Sequence, residues 1–161
     1  MKALVVYESF FGNTEQVAQA VAEVLAAHAD VVVKRVSEVQ PAQLTGLDLL
    51  VVGSPTRAFR PSPGTSAWLA QLPAGSLTGV KVAAFDTHIP IEGIKSRLVR
   101  ALLRPLLTRY AAKPIADRLQ SKGGTLVVPP EGFGVQGTEG PLVAGELERA
   151  RAWASQILAA M

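Results

Sequence analysis

Cysteine is absent from the 161 residues, which removes disulfide frameworks, cysteine-ligated zinc, iron–sulfur clusters and thiol catalysis together. Any redox chemistry has to be borrowed from a cofactor. Histidine occurs only as His28 and His88, too few for a histidine-rich centre, and no protein-built catalytic metal is expected. Aromatic residues make up 6% and no dense Lys/Arg run occurs, so the net charge of +3 does not describe a nucleic-acid surface. No apolar run approaches the roughly 20 residues that span a bilayer. The N-terminus also lacks a signal-peptide h-region and cleavage site. The expectation is a cytoplasmic protein without a transmembrane segment and without a nucleic-acid partner.

What the chain does have is core material. Hydrophobic residues reach 48% against 18% charged, which argues against disorder and for one compact domain over residues 1–161. Residues 3–7 form a short β-branched and aromatic run, apolar on both faces, as in a strand buried in a parallel sheet. Residues 30–36, 47–53, 80–86 and 125–128 read as four further strands. Helices fall between them: one opening at Asn13, where Asn13 can cap and Gln16 can answer it, one over 65–72, and a closing helix over 143–160. Alternation of this kind gives an α/β doubly wound sheet with helices on both faces and right-handed crossovers. Ligands on such sheets bind beyond the carboxyl ends of the strands. The loops that matter are therefore 8–14, 54–64 and 87–93.

The first loop joins a buried strand to a helix start, so backbone N–H groups and the positive end of the helix dipole converge on one small volume suited to a phosphate. Gly12 permits close backbone approach, while the Ser9 and Thr14 hydroxyls add donors. Neither a Walker Gly-Lys-Ser/Thr nor a G-x-G-x-x-G is present, which favours a phosphate monoester. The bland alternative is a tight turn with a helix cap.

Tyr7-Glu8-Ser9-x-x-Gly12-Asn13-Thr14 resembles the FMN phosphate loop of flavodoxins. Val52-Gly53-Ser54-Pro55-Thr56-Arg57-Ala58-Phe59 is similar to the second flavin loop of that family, and Phe85-Asp86-Thr87-His88 to the third. Residues 137–142 and 145–148 are similar to the tail of its single-domain members. The resemblance implies a five-stranded parallel sheet of order 2-1-3-4-5, with FMN as cofactor. It places the phosphate on Ser9, Phe10, Phe11, Gly12, Asn13 and Thr14. The isoalloxazine would lie between Pro55, Thr56, Arg57, Ala58, Phe59 and the stretch Asp86, Thr87, His88. The implied function is electron transfer through a non-covalently bound flavin, with no catalytic residue required. The alternatives are an FMN-dependent NAD(P)H:quinone-type reductase and a flavin-free binding protein retaining the fold. Typical flavodoxins are acidic and carry Trp or Tyr on the ring faces. This chain is basic and offers Phe59 and His88 instead, which implies a different, acidic redox partner or small electron acceptor.

Trp68 and Trp153 fall in helical patterns and read as core residues, His28 as structural at the end of the first helix, and Glu139 as a turn residue. Between Glu92 and Asp117 there is no acid, while Lys95, Arg97, Arg100, Arg104, Arg109 and Lys113 all occur. Arg97, Arg100 and Arg104 form one stripe of a helical wheel, and apolar residues cover an arc of roughly 220 degrees, wider than a one-sided helix needs. A second subunit in a homodimer through residues 91–113, an added packing layer or a membrane interface would each cover the excess, against a plain buried helix with a solvated basic edge.

Overall fold

The computed structural model describes residues 1–90, 95–107 and 110–161, and of residues 103–107 only the backbone. Five main strands make the sheet: β1 Lys2–Tyr7, β2 Asp30–Arg35, β3 Leu49–Arg57, β5 Lys81–His88 and a fifth position shared by β6 Thr125–Leu126 and β7 Glu131–Gly134. Their order is β2-β1-β3-β5-β6, all parallel, with β7 continuing alongside β5. Counting β6 and β7 as one interrupted strand, this is the expected 2-1-3-4-5 order. The expected fifth strand over 125–128 is shorter, because the chain leaves the ladder before Pro129 and Pro130, which have no N–H to donate. It returns as β7, which periodicity does not announce since Gly132 and Gly134 contribute no side chains. The two-residue strand β4, Arg60–Pro61, pairs antiparallel with the end of β3.

Alternate residues of each strand point to opposite faces, and each face has its own core. On one face Val5, Tyr7, Val51 and Phe85 pack with α1 (Asn13–Leu25) and α5 (Glu146–Ala159). On the other, Leu4, Val6, Val52, Val82 and Ala84 pack with Leu69 of α2 (Pro63–Gln71) and with Ile115 and Leu119 of α4 (Ala112–Ser121). Removing one such fully buried aliphatic side chain from water is worth about 1.5–3 kcal/mol. Trp153 sits edge-on to Phe85 and Phe133, at 6.0 and 6.2 Å between ring centroids, and is a core residue as expected. Trp68 packs against the opposite core from a partly buried position. The glycine at 53 belongs to the same packing: a Cβ there would run into the Phe85 ring.

The closing helix starts at Glu146, three residues later than the periodicity suggests, because Gly145 turns the chain at φ 88° just before it. α1 ends at Leu25, and His28 lies in the following turn, its N–H donated to the Leu25 carbonyl at 2.9 Å. The basic segment contains α3, Arg97–Leu107, on which Leu98 and Leu102 are 81% and 75% exposed. The described part of the apolar arc is thus not packed into the domain. The expectations for Glu92, Ile94 and Arg109, and for the side chains of Leu103, Arg104, Leu106 and Leu107, lie outside the described residues. No helix of the described residues is long and apolar enough to cross a membrane.

Candidate functional site

The loop after β1 is held open from several sides. Gly12, at φ 90°, is the N-cap of α1, and its own N–H is donated to Ser9 Oγ at 3.0 Å. That corrects the expected capping role of Asn13. Asn13 is already the first helical residue, and its Nδ2 donates instead to the Glu139 carbonyl at 3.1 Å, tying the loop to the turn over 137–140. A left-handed glycine makes the entry turn without help from a side chain. The N–H groups of Asn13, Thr14 and Glu15 open the helix, where no partner exists within the helix itself and the dipole is positive.

Beneath the loop, Arg35 at the end of β2 donates Nη1 to the Ser9 carbonyl at 3.0 Å and Nη2 to Glu15 Oε2 at 2.8 Å. Its guanidinium also covers the Tyr7 ring at 5.2 Å. The Tyr7 hydroxyl donates to Glu15 Oε1 at 2.9 Å. Burial, followed by this bond to Glu15, raises the Tyr7 pKa above its ordinary 10.0. Glu8 reaches sideways: its carboxylate accepts from the Ser62 hydroxyl and, at 3.3 Å, from the Thr65 N–H at the start of α2. Gly64 makes room, since a Cβ there would stand 2.5 Å from Glu8 Oε1.

The second loop is a hairpin. β3 continues to Arg57, which pairs with Arg60 across a two-residue turn. The turn residues Ala58 and Phe59 have φ of 47° and 64°, the sign that a tight hairpin matching strand twist demands. Side chains other than glycine in that region cost on the order of 1–3 kcal/mol each. Phe59 stands at the tip, 38% exposed, rather than in the cleft described below. The Arg57 guanidinium lies over the Phe10 ring at 4.7 Å and the Phe11 ring at 5.8 Å.

In the third loop the Thr87 hydroxyl meets that of Thr14 at 2.7 Å, both side chains buried. Asp86 is fully buried and turned away from the cleft. One carboxylate oxygen binds His88 Nδ1 at 2.6 Å and the other accepts the Ala112 N–H at the start of α4 at 2.9 Å. His88 stacks on Tyr110, centroids 3.7 Å apart and rings 11° from parallel.

These loops enclose a cleft of about 230 Å³ at the carboxyl ends of β1, β3 and β5. Of the residues singled out in the sequence, Ser9, Phe10, Phe11, Asn13, Thr14, Pro55, Thr56, Arg57, Ala58, Thr87 and His88 line it, joined by Ile89, Val135, Gly137 and Thr138. Gly12, Phe59 and Asp86 shape its surroundings without lining it. Among the described lining residues none is a carboxylate. Sequence reasoning misses Arg35 and Tyr110, whose partners Ser9, Glu15 and His88 lie 20 or more positions away in the chain.

A doubly wound parallel sheet with a cleft at the carboxyl ends of its strands defines an α/β protein of the class that takes its ligands at the switch point of the sheet. The flavodoxin family profile matches residues 5–86, just over half of the chain. The chain belongs to the flavodoxin family, flavin-carrying electron-transfer proteins. Among solved structures it is similar to oxidised flavodoxin 2 of Bacillus cereus, at 21% identity and TM-score 0.77 with 100% of both chains covered. Oxidised flavodoxin 1 of the same organism matches at 15% identity and TM-score 0.76, covering 100% of this chain and 99% of that one. The two-electron reduced flavodoxin of Megasphaera elsdenii matches at 24% identity and TM-score 0.65, with 95% and 98% covered.

Proposed function

We propose that the cleft binds FMN non-covalently and that residues 1–161 act as one electron-transfer unit. The observation that carries this reading is the convergence of three loops on one cleft with the open first turn of α1 at its end. The donor set fits a phosphate monoester: helix N–H groups, the Ser9 hydroxyl and the Thr14/Thr87 hydroxyl pair, with no carboxylate among the described lining residues to repel it.

The phosphate belongs on residues 9–14. The ring belongs between Pro55, Thr56, Arg57 and Ala58 on one side and Thr87 and His88 on the other. Bound there, the isoalloxazine supplies the reversible electron transfer that no side chain of this chain can provide. Arg35 keeps the Ser9 carbonyl turned away, Glu8 fixes the first loop to α2, and Asp86 orients His88 at the cleft wall. Phe10, Phe11 and Ile89 limit the access of water. Lys95, Arg97 and Arg100 favour an acidic redox protein or an anionic acceptor as partner.

Mass spectrometry of the chromophore released from purified protein tests the assignment, together with titration of the apoprotein. FMN released, and FMN rebound, is the expected outcome. Recovery of FAD, or apoprotein that takes up no added FMN, overturns it.

A further inference from the structure

Among the described arginines, Arg35 and Arg149 touch an aromatic ring and a carboxylate together, whereas the side-chain partners of Arg57 are rings. Arg35, Arg149 and Arg151 each face a carboxylate, that of Glu15, Glu146 or Glu23, and their charge is largely cancelled locally. Arg57 is held by the rings of Phe10 and Phe11. An aromatic face anchors a guanidinium without neutralising it. The anchor is stiffened from behind, because Arg57 ends β3 in register with Arg60 of β4. Arginine stays charged at every accessible pH. Arg57 is therefore the one permanent charge among the described residues that line the cleft.

We propose that Arg57 sets the redox balance of the cleft by favouring the bound flavin in the state that carries more negative charge. The inference rests on the FMN reading above. Electrons added to the flavin bring negative charge into the cleft, and a fixed cation holds that state more tightly than the neutral oxidised ring. The midpoint potential of a bound cofactor is displaced from that of the free one by the ratio of its affinities in the two oxidation states. A cation that raises affinity for the reduced state alone thus raises the potential. With no carboxylate beside it in the described lining, that effect is unopposed. Phe10 and Phe11 act as the positioning residues, holding the guanidinium at the lip of the cleft.

The test measures dissociation constants for FMN and for riboflavin, each oxidised and chemically reduced, in the wild type, Arg57→Gln and Arg57→Lys, with the midpoint potential read independently. Arg57→Gln is expected to weaken reduced FMN about tenfold more than oxidised FMN, the size of a unit charge partly screened over a few ångströms. That corresponds to a potential lower by about 30 mV for the two-electron couple. Riboflavin should show the same difference, Arg57→Lys should restore most of it, and high salt should shrink it, because the guanidinium is exposed.

Equal weakening of both oxidation states, confined to FMN and absent with riboflavin, would make Arg57 a phosphate contact and overturn the proposal. An unchanged ratio in Arg57→Gln overturns it as well. If the wild type binds no flavin at all, it is the FMN reading that fails.

Discussion

The hydroxyls of Thr14 and Thr87 meet at 2.7 Å inside the protein, joining the first and third loops over 73 positions of sequence. Only one of the two can donate in that bond, so the other keeps a proton for a ligand in the cleft. Thr14→Ala is expected to weaken FMN binding by roughly 1.5–3 kcal/mol, the range for a hydrogen bond to a charged group. Thr87→Val should weaken it less, since the helix N–H groups stay in place. Titration of the two apoproteins checks the order, and equal affinities in wild type and Thr14→Ala would place the phosphate elsewhere.

Gly12 has open space where a Cβ would stand, but its φ is 90°. Gly12→Ala should therefore cost about 1–2 kcal/mol of conformational strain without a clash. Thermal denaturation of the apoprotein reads that cost directly. A loss of FMN affinity in Gly12→Val, where a branched side chain is forced into the same backbone, should exceed that in Gly12→Ala.

Asp86 joins a helix start to a histidine from a fully buried position. Asp86→Ala should be among the most damaging single changes, leaving the buried Ala112 N–H without its acceptor at about 1–3 kcal/mol and freeing the partly buried His88 ring from its anchor. Asp86→Asn, with a carbonyl in the same place, should recover part of it. Chemical denaturation at neutral pH distinguishes the two.

Tyr7 contributes to stability at alkaline pH. Its pKa is raised above 10.0 in the folded protein, so the unfolded chain releases the phenolic proton first. The contribution to stability is complete below the unfolded value and is lost as pH rises through the folded one. Denaturation midpoints followed from about pH 9 upward should fall more steeply for the wild type than for Tyr7→Phe. Parallel curves would show that the hydroxyl does not titrate with folding.

The basic residues of α3 act on encounter in the proposed scheme. Arg97→Gln combined with Arg100→Gln should leave FMN affinity near that of the wild type, slow electron transfer to an acidic partner and flatten its salt dependence, because exposed charges are screened over about 8 Å. Identical rates and salt slopes would reduce the stripe to a solvated helix face.

The strands and the first loop are readable in the sequence because each is local: a largely apolar run of four to seven residues, and, after the first of them, glycine, hydroxyl and asparagine side chains at a helix start. The same locality explains what is not readable. Arg35 acts on Ser9 from 26 residues away and Asp86 on Ala112 from the same separation, and nothing in either neighbourhood signals the pairing. The helix α4 is hidden because Pro114 interrupts its pattern, although proline in the first turn of a helix loses no hydrogen bond. Phe59 reads as a cleft aromatic from its position in the loop, yet the tight hairpin carries it to the tip.

The interruption of the fifth strand also blunts one edge of the sheet. A sheet edge is a template on which another chain can add a strand. Here that edge offers two residues in β6 and four in β7, separated by Pro129 and Pro130, with Arg149 bound to Glu131 and to the Gly132 carbonyl along the second piece. No incoming strand finds a continuous row of free donors and acceptors there, so this edge is a poorer template for a further copy than the opposite one, where β2 runs unbroken over six residues.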